Sequence, residues 1–305
     1  MKILKIICLL LIGSVFSGCQ SQVPDFNELA AFELLEHQCT FGPRNPGSDG
    51  YTNCRQFLID DLTAYADTVF LQPFRYTELR EGNSYDLTNI IARFQPEFER
   101  QILLGAHWDT RPWAEMDTSP GRRNQPILGA NDGASGVAIL LELARILTLK
   151  QPTVGITIVL FDGEDLGVAG VNNSYARGSL YFAENLPIEK PEYAIILDMI
   201  GDADLEIPIE RNSYKYNREL VTSLWSTAES LKLDAFKNRL GFEIFDDHVP
   251  LWEAAGIPAI DIIDLQYPNR YANYWHTHLD VPSNCSAESL GQIGTLLVHH
   301  IYSLK

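Results

Sequence analysis

Residues 159–167, VLFDGEDLG, place three carboxylic acids within four positions directly after an apolar run. Asp162, Glu164 and Asp165 are close enough along the chain to repel one another, and an apolar neighbourhood raises the cost of keeping them ionised. A bound cation would offset that repulsion. The segment therefore suggests a metal site at the end of a buried strand.

Other residues that could bind a metal follow apolar runs, begin a helical segment or lie late in the chain. They are His107 and Asp109 in GAHWDT, Asp132 in LGANDG, Asp198 in ILDMIG, Asp246, Asp247 and His248 in FDDHVP, and His276 and His278 in YWHTHLD. Each alone has an ordinary structural explanation, such as a helix N-cap for Asp132. Together they offer the carboxylates and imidazoles that bind a divalent ion such as zinc.

Alternating strands and helices are expected to bring these residues together. Apolar runs of strand length cover 87–94, 101–107, 154–161, 193–201 and 258–264, and helical patterns cover 25–38, 49–66, 133–149, 215–231 and 287–303. This alternation predicts a three-layer α/β/α sandwich around a central mixed, mostly parallel sheet. Sites in such sheets lie outside the carboxyl ends of the strands, and most of these candidate ligands follow such ends.

The first residues have the pattern of an export signal. A basic start with Lys2 and Lys5 precedes an apolar stretch at 6–16 and the small residues before Cys19. This pattern predicts a signal peptide at 1–18 and a lipidated Cys19 as the first mature residue, on the periplasmic face of a bacterial membrane. Since Phe16 stands where such signals usually have Leu, ordinary cleavage to a soluble periplasmic protein remains an alternative. Residues 25–305 are expected to form one domain.

The charge of the chain argues against nucleic-acid binding. The formal charge is −17, and without Lys2 and Lys5 it becomes −17 − 2 = −19. Such an acidic surface repels phosphate backbones, so nucleic acid is not an expected partner. Of the cysteines after the signal, Cys39 and Cys54 are the nearest pair in sequence, and a bridge between them is left open.

The ordered set of motifs resembles a known superfamily. GAHWDT, LGANDGASGVAILLELAR, LFDGED, ILDMIG, DDHVPLWEAAGIPAIDI and YWHTHLD are similar to the zinc-binding segments of M28 metallopeptidase-like proteins. Trp before the late His, and a second acid in DDH, resemble the glutaminyl-peptide cyclotransferases (glutaminyl cyclases) in particular, including their bacterial lipoprotein branch. The resemblance runs from about residue 25 to the C-terminus and implies a zinc aminopeptidase-like fold.

The resemblance also implies a reaction and a site. One Zn²⁺ per chain would be held by Asp132, Asp165 and His276, and the substrates would be peptides or proteins with an N-terminal glutamine. Glu164 would transfer protons, and Asp198 and Asp246 would form an acid pair that shares a proton. The remaining assignments are Trp275 against the substrate, Trp108 or Trp113 as a second aromatic wall, and His107 and His248 in a second metal site or a hydrogen-bond network. The protein is expected to be a monomer.

Two features differ from the better-known animal cyclases. Asp165 replaces the usual Glu, and no Trp occurs at 166–174. A dizinc aminopeptidase, in which His107 and Asp198 hold a second metal, is the main alternative function. A non-catalytic binding domain on the same fold is a further alternative.

Overall fold

The computed structural model describes residues 23–171 and 174–305. The predicted signal peptide 1–18 and Cys19 lie outside this part of the chain. The helices are α1 (Glu28–Thr40), α2 (Asp49–Tyr65), α3 (Ala134–Leu149), α4 (Arg177–Glu184), α5 (Arg211–Tyr216), α6 (Arg218–Leu231), α7 (His248–Glu253) and α8 (Ala287–Ser303). The strands are β1 (Thr68–Thr77), β2 (Ser84–Phe94), β3 (Gln101–His107), β4 (Gly155–Phe161), β5 (Ala194–Asp198), β6 (Ile207–Ile209), β7 (Phe236–Leu240), β8 (Ala259–Ile263), β9 (Pro268–Asn269) and β10 (Ala272–Asn273).

The central sheet has the strand order β1-β2-β4-β3-β5-β8. Strands β4, β3, β5 and β8 pair in parallel, whereas β2 is antiparallel to both β1 and β4. The predicted mixed, mostly parallel sheet is confirmed. Strand β1 was not predicted from the sequence, because it is an edge strand whose mostly accessible side chains include Pro73 and Arg75 and give no apolar run.

Helices cover both faces of the sheet. In β3, Ile102 and Leu104 belong to a large core that also contains side chains of α1, α2, α3 and α8. Leu103, on the opposite face, belongs to a smaller core with Phe182 of α4 and Leu251 of α7. This alternation is expected for a strand buried on both sides, and it confirms the three-layer sandwich.

The helix predicted at 215–231 is two helices. Helix α5 ends at Tyr216, and the side chain of Asn217 accepts a hydrogen bond from the backbone N–H of Leu220 at the start of α6. The prediction of one continuous helix was wrong because an Asn can leave the helical conformation and cap the next helix. The other predicted helices and strands are present, with ends that differ by at most three residues.

The cysteines of the described chain are free. Cys39, Cys54 and Cys285 are all buried thiols, so no bridge joins Cys39 and Cys54 in this structure. Within residues 23–171 and 174–305, no helix has both the length and the apolarity needed to cross a membrane.

Candidate active site

The parallel register brings the candidate residues to one edge of the sheet. His107, the last residue of β3, pairs with Phe161 at the end of β4, so residues 162–165 begin beside His107. Asp198 is the last residue of β5, the other neighbour of β3. Asp132 comes from the loop before α3, and His276 comes from the loop after β10. The predicted location at the carboxyl ends of the strands is confirmed.

Two groups of side chains that could bind a metal share Asp132. Donor atoms of Asp132, Asp165 and His276 lie within 4.8 Å of one another, and so do donor atoms of His107, Asp132 and Asp198. The Nε2 atom of His276 is 3.3 Å from Asp165 Oδ1 and 3.7 Å from Asp132 Oδ2. The Nε2 atom of His107 is 3.2 Å from Asp132 Oδ1 and 3.1 Å from Asp198 Oδ1. All five side chains are buried.

The first group has the properties of a cation site. Among the described residues, no hydrogen-bond partner exists for Oδ2 of Asp132 or for Oδ2 of Asp165, although both atoms are buried. Buried polar atoms are normally hydrogen-bonded, and unpartnered carboxylate oxygens beside an imidazole are what a divalent cation requires. The donor set of Asp132, Asp165 and His276 therefore fits zinc.

The turn after β4 separates the three acids of residues 159–167. Gly163 adopts φ +75°, and a Cβ at this position would lie 2.6 Å from Leu87 Cδ1, so glycine is favoured here. The carboxylate of Asp109 accepts hydrogen bonds from the backbone N–H groups of Glu164 and Asp165, at 3.2 and 3.3 Å. These bonds fix the turn that directs Glu164 and Asp165 toward the cavity.

Asp162 points away from the cavity. Its Oδ2 accepts hydrogen bonds of 2.5 Å from the Tyr51 hydroxyl and from the backbone N–H of Thr88. The interpretation of Asp162 as a structural acid is therefore confirmed. The three acids are compatible in one short segment because each faces a different set of partners.

His276 is oriented by an ion pair beneath it. Its Nδ1 lies 2.9 Å from Glu115 Oε1, and Glu115 in turn accepts hydrogen bonds from the Arg111 guanidinium, including one of 2.8 Å from Nε. Arg111 also donates to the backbone carbonyls of Asp165 and Gly167, each at 2.9 Å. A carboxylate on Nδ1 leaves Nε2 for a metal. Burial raises the pKa of Glu115, but the hydrogen bonds from His276 and Arg111 outweigh it and lower this pKa to about 2.

Two further buried side chains hold the loops that carry site residues. Asp280 accepts hydrogen bonds from the backbone N–H groups of Asn131 and Asp132, at 2.7 and 3.2 Å. The fully buried Arg44 guanidinium donates to the carbonyls of Trp108, Leu128 and Gly129. The positions of Asp132 and of the chain after His107 are therefore fixed by hydrogen bonds from outside the metal group.

Glu164 lies beside Asp165 but is not one of the three candidate zinc ligands Asp132, Asp165 and His276. One of its carboxyl oxygens is within 4.8 Å of donor atoms of both His107 and Asp165. Burial raises the pKa of Glu164 well above its usual range, and the charge on His107 partly opposes this shift. A carboxyl group with a raised pKa is suited to accept and release a proton near neutral pH.

Asp198 and Asp246 line the same cavity, but their other partners differ. Burial raises the pKa of Asp198, the hydrogen bond with His107 opposes the shift, and the charge of Asp246 adds to it. Donor atoms of Asp246, Asp261 and His248 lie within 4.8 Å of one another. A proton shared directly between Asp198 and Asp246 stays a prediction.

His248 belongs to a buried network behind Asp246. Its Nε2 is 3.2 Å from Glu210 Oε2, and its Nδ1 is 3.9 Å from Asp261 Oδ2. His107 lies in a candidate metal group with Asp132 and Asp198, and His248 lies in another with Asp246 and Asp261. The choice between a second metal site and a hydrogen-bond network stays a prediction for both histidines.

A cavity of about 600 Å³ opens above these groups. Its lining contains Asp132, Glu164, Asp165, Ala169, Gly170, Val171, Tyr175, Asp198, Met199, Glu243, Ile244, Phe245, Asp246, Ile263, Leu265, Trp275 and His276. The Trp275 ring stacks on the His276 imidazole, with 3.7 Å between the ring centroids and 27° between the planes. This size and the mixture of apolar walls with a few polar groups are typical of small-molecule sites.

Trp108 and Trp113, the two other tryptophans predicted to contact substrate, are not in the lining of this cavity. Trp108 is fully buried, packs on Tyr51 with a centroid distance of 4.5 Å, and donates from Nε1 to the Thr88 carbonyl. Trp113 lies between two guanidinium groups, those of Arg80 at 4.4 Å and Arg111 at 5.1 Å from its ring centroid. The prediction of a substrate wall from Trp108 or Trp113 was wrong, because both rings pack against the protein interior instead.

Comparison with known proteins agrees with this arrangement. The family model described as peptidase family M28 matches residues 89–301, a span that begins within β2 and ends within α8. The chain belongs to peptidase family M28. The match includes every residue of the two candidate metal groups.

Within M28, the chain is similar to glutaminyl cyclases and to an exopeptidase. It is 36% identical to the glutaminyl cyclase of Tannerella forsythia, with a TM-score of 0.89 over 92% of this chain and 100% of that one. It is 34% identical to a Zn-dependent exopeptidase from Parabacteroides distasonis, with a TM-score of 0.89 over 93% and 100%. The glutaminyl-peptide cyclotransferase-like protein of Mus musculus is 24% identical, over 83% of this chain and 70% of the mouse protein. The resemblance to glutaminyl cyclases is confirmed.

Sequence reasoning missed the residues that support the M28 site. Arg111, Glu115 and Asp280 were not singled out, and Asp109 was noted only as a candidate ligand. Arg111 and Glu115 have opposite charges four positions apart, but they lie in the loop after β3, where this spacing does not predict a contact as it does on a helix. Asp280 gives no comparable signal, since its partners Asn131 and Asp132 are 149 and 148 positions away.

Proposed function

We propose that this M28 protein is a zinc-dependent glutaminyl-peptide cyclotransferase. It converts the N-terminal glutamine of peptides or proteins to pyroglutamate and releases ammonia. In this reaction the substrate's α-nitrogen forms a bond to the side-chain carboxamide carbon, and the bond from that carbon to the amide nitrogen breaks. The observation that carries the proposal is the presence of Asp246 in the cavity with Glu164 and Asp198, in addition to the metal-binding groups.

Glu164, Asp198 and Asp246 suit a reaction in which the substrate cyclises. The nucleophile belongs to the substrate itself, so the site needs to hold a folded conformation rather than to activate water. The α-ammonium must lose a proton, and the departing amide nitrogen must gain one. Glu164 takes the first proton and delivers the second, while Asp198 and Asp246 stabilise the positive charge of the ammonium group.

The metal would be held by Asp132, Asp165 and His276, whose unpartnered oxygens and imidazole nitrogen fit zinc. Zinc bound there supplies a Lewis acid for the side-chain carbonyl of the glutamine. Trp275 lies beside His276 and packs against the folded glutaminyl side chain. Glu115 and Arg111 keep the His276 ring in position during this reaction.

A dizinc aminopeptidase is the second candidate. The observation in its favour is the complete second donor group of His107, Asp132 and Asp198. The likeness to a protein described as a Zn-dependent exopeptidase points in the same direction. A non-catalytic binding domain has the least support, because both donor groups are complete among the described residues.

One set of measurements on purified protein separates these functions. Protein prepared without chelator should contain about one equivalent of zinc and should release ammonia from glutaminyl peptides but no amine from leucyl chromogenic substrates. Removing the metal should abolish activity, and adding zinc should restore it. Two zinc equivalents that are both required, together with leucyl cleavage, would establish the aminopeptidase. Zinc binding without turnover of either substrate would establish the binding domain.

We further propose that the protein is exported and anchored by lipid on Cys19, and that it acts as a monomer on exported peptides or proteins. A lipid anchor gives membrane association without a spanning helix. Cys19→Ala should shift the protein from the membrane fraction to the soluble fraction, or leave the precursor unprocessed. Ser21→Ala, two positions away, is the control and should stay with the membrane. An unchanged soluble periplasmic protein in all three forms would reject the anchor.

A further inference from the structure

The cavity has a buried floor and an open mouth. Asp132, Asp165 and His276 are at most 3% exposed, whereas Phe245 is 37% and Val171 is 42% exposed. Glu243 also lines the cavity and is exposed. If an N-terminal glutamine reaches the floor, the rest of the peptide must leave through the mouth. The residue that follows glutamine would then lie at this mouth, whose exposed lining residues include Glu243, Phe245 and Val171.

The charges around the cavity have one sign. Six carboxyl side chains line it, and among the described lining residues the only basic group is His276, with no Lys or Arg. Even with a zinc ion bound by Asp132 and Asp165, four acids face the substrate. In the proposed reaction Glu164, Asp198 and Asp246 face the ammonium group of the substrate, and Glu243 lies at the mouth of the cavity.

We propose that Glu243 and Phe245 form the binding site for the residue after glutamine, and that this site selects peptides with a basic or apolar residue there and rejects acidic ones. The inference rests on the proposed cyclotransferase activity. The exposed Phe245 ring supplies apolar contact to a large side chain or to the stem of a lysine. The Glu243 carboxylate attracts a cation and repels an acid at the same position.

The expected size of the selectivity follows from the exposure of the Glu243 carboxylate. Exposed ion pairs contribute about 0.2–1 kcal/mol, which corresponds to a factor of about 1.5–5 in an equilibrium constant. A basic residue after glutamine should raise kcat/KM by this factor, and an acidic residue should lower it by a similar factor. The ratio of kcat/KM between the basic and the acidic peptide should therefore be on the order of 2–25 from Glu243 alone. The buried acids add repulsion of an acidic residue. Screening by salt should reduce the ratio.

The test compares four amidated peptides, Gln-Lys-Ala-Ala, Gln-Phe-Ala-Ala, Gln-Ala-Ala-Ala and Gln-Glu-Ala-Ala, with zinc-loaded full-length protein. We expect kcat/KM to be highest for Lys and Phe and lowest for Glu. Glu243→Lys should reduce or reverse the Lys-to-Glu ratio, and Glu243→Gln should give an intermediate value. Phe245→Ala should lower kcat/KM for the Phe peptide towards that of the Ala peptide.

Glu253→Lys is the matched control, because Glu253 is exposed and lines a neighbouring groove with Phe245 but does not line the cavity. It should leave the Lys-to-Glu ratio unchanged. A ratio near one in the native protein, or a ratio that Glu243→Lys changes no more than Glu253→Lys does, would overturn the inference while cyclisation itself continued. If no peptide were cyclised, the proposed function would fail first.

Discussion

Glu164→Gln should lower kcat for cyclisation by about 10²–10⁴-fold, the usual loss when a general acid–base is removed. The substitution keeps the shape of the side chain and removes its proton-transfer function. KM should change much less than kcat, because the lost interaction is made mainly in the transition state. Zinc content should stay at about one equivalent, since Glu164 is not among Asp132, Asp165 and His276.

The measurement is steady-state kinetics combined with metal analysis of the same preparation. Burial raises the pKa of Glu164 well above its usual range, so the native enzyme should show kcat falling as pH drops and this carboxyl becomes protonated before it can act as a base. The decrease of kcat at low pH should be absent from the residual activity of Glu164→Gln. A variant that kept full kcat would contradict the assignment of proton transfer to Glu164.

Asp165→Ala should remove zinc and, with it, nearly all activity. Asp165 supplies one carboxylate of the donor group, and its loss leaves Asp132 and His276 as an incomplete set. The free energy of zinc binding also stabilises the folded state, so the variant should unfold at a lower temperature than the zinc-loaded native protein. Asp165→Glu restores the residue usual in the animal enzymes and should retain part of the metal.

Asp162→Asn is the matched control for Asp165→Ala. Asp162 lies three positions earlier, is equally buried, and bonds to Tyr51 and Thr88 instead of facing the cavity. This control should lower thermal stability without changing the number of zinc ions bound. If Glu164→Gln emptied the zinc site while Asp165→Ala kept it full, the two roles would be reversed.

The sequence predicted the residues at the strand ends but not the residues that support them. Strands β3 and β4 are recognisable because both faces are buried and the apolar run is nearly continuous. The pairing of Glu115 with His276 spans 161 positions, and no local pattern encodes a contact of that separation. The direction of the Trp108 and Trp113 rings could not be predicted either, because a loop side chain takes its direction from tertiary packing.

The buried Arg44 connects two segments that carry residues of the site. Its guanidinium bonds to the carbonyls of Trp108, Leu128 and Gly129, and its own backbone N–H donates to the Thr110 hydroxyl. The segment that carries Asp109 and the segment that carries Asp132 are therefore joined through one side chain. Local unfolding of either segment breaks bonds of both, so the two should fluctuate as a single cooperative unit. Lysine could not replace this arginine, because one ammonium group lacks the fixed fork of donors that reaches several carbonyls at once.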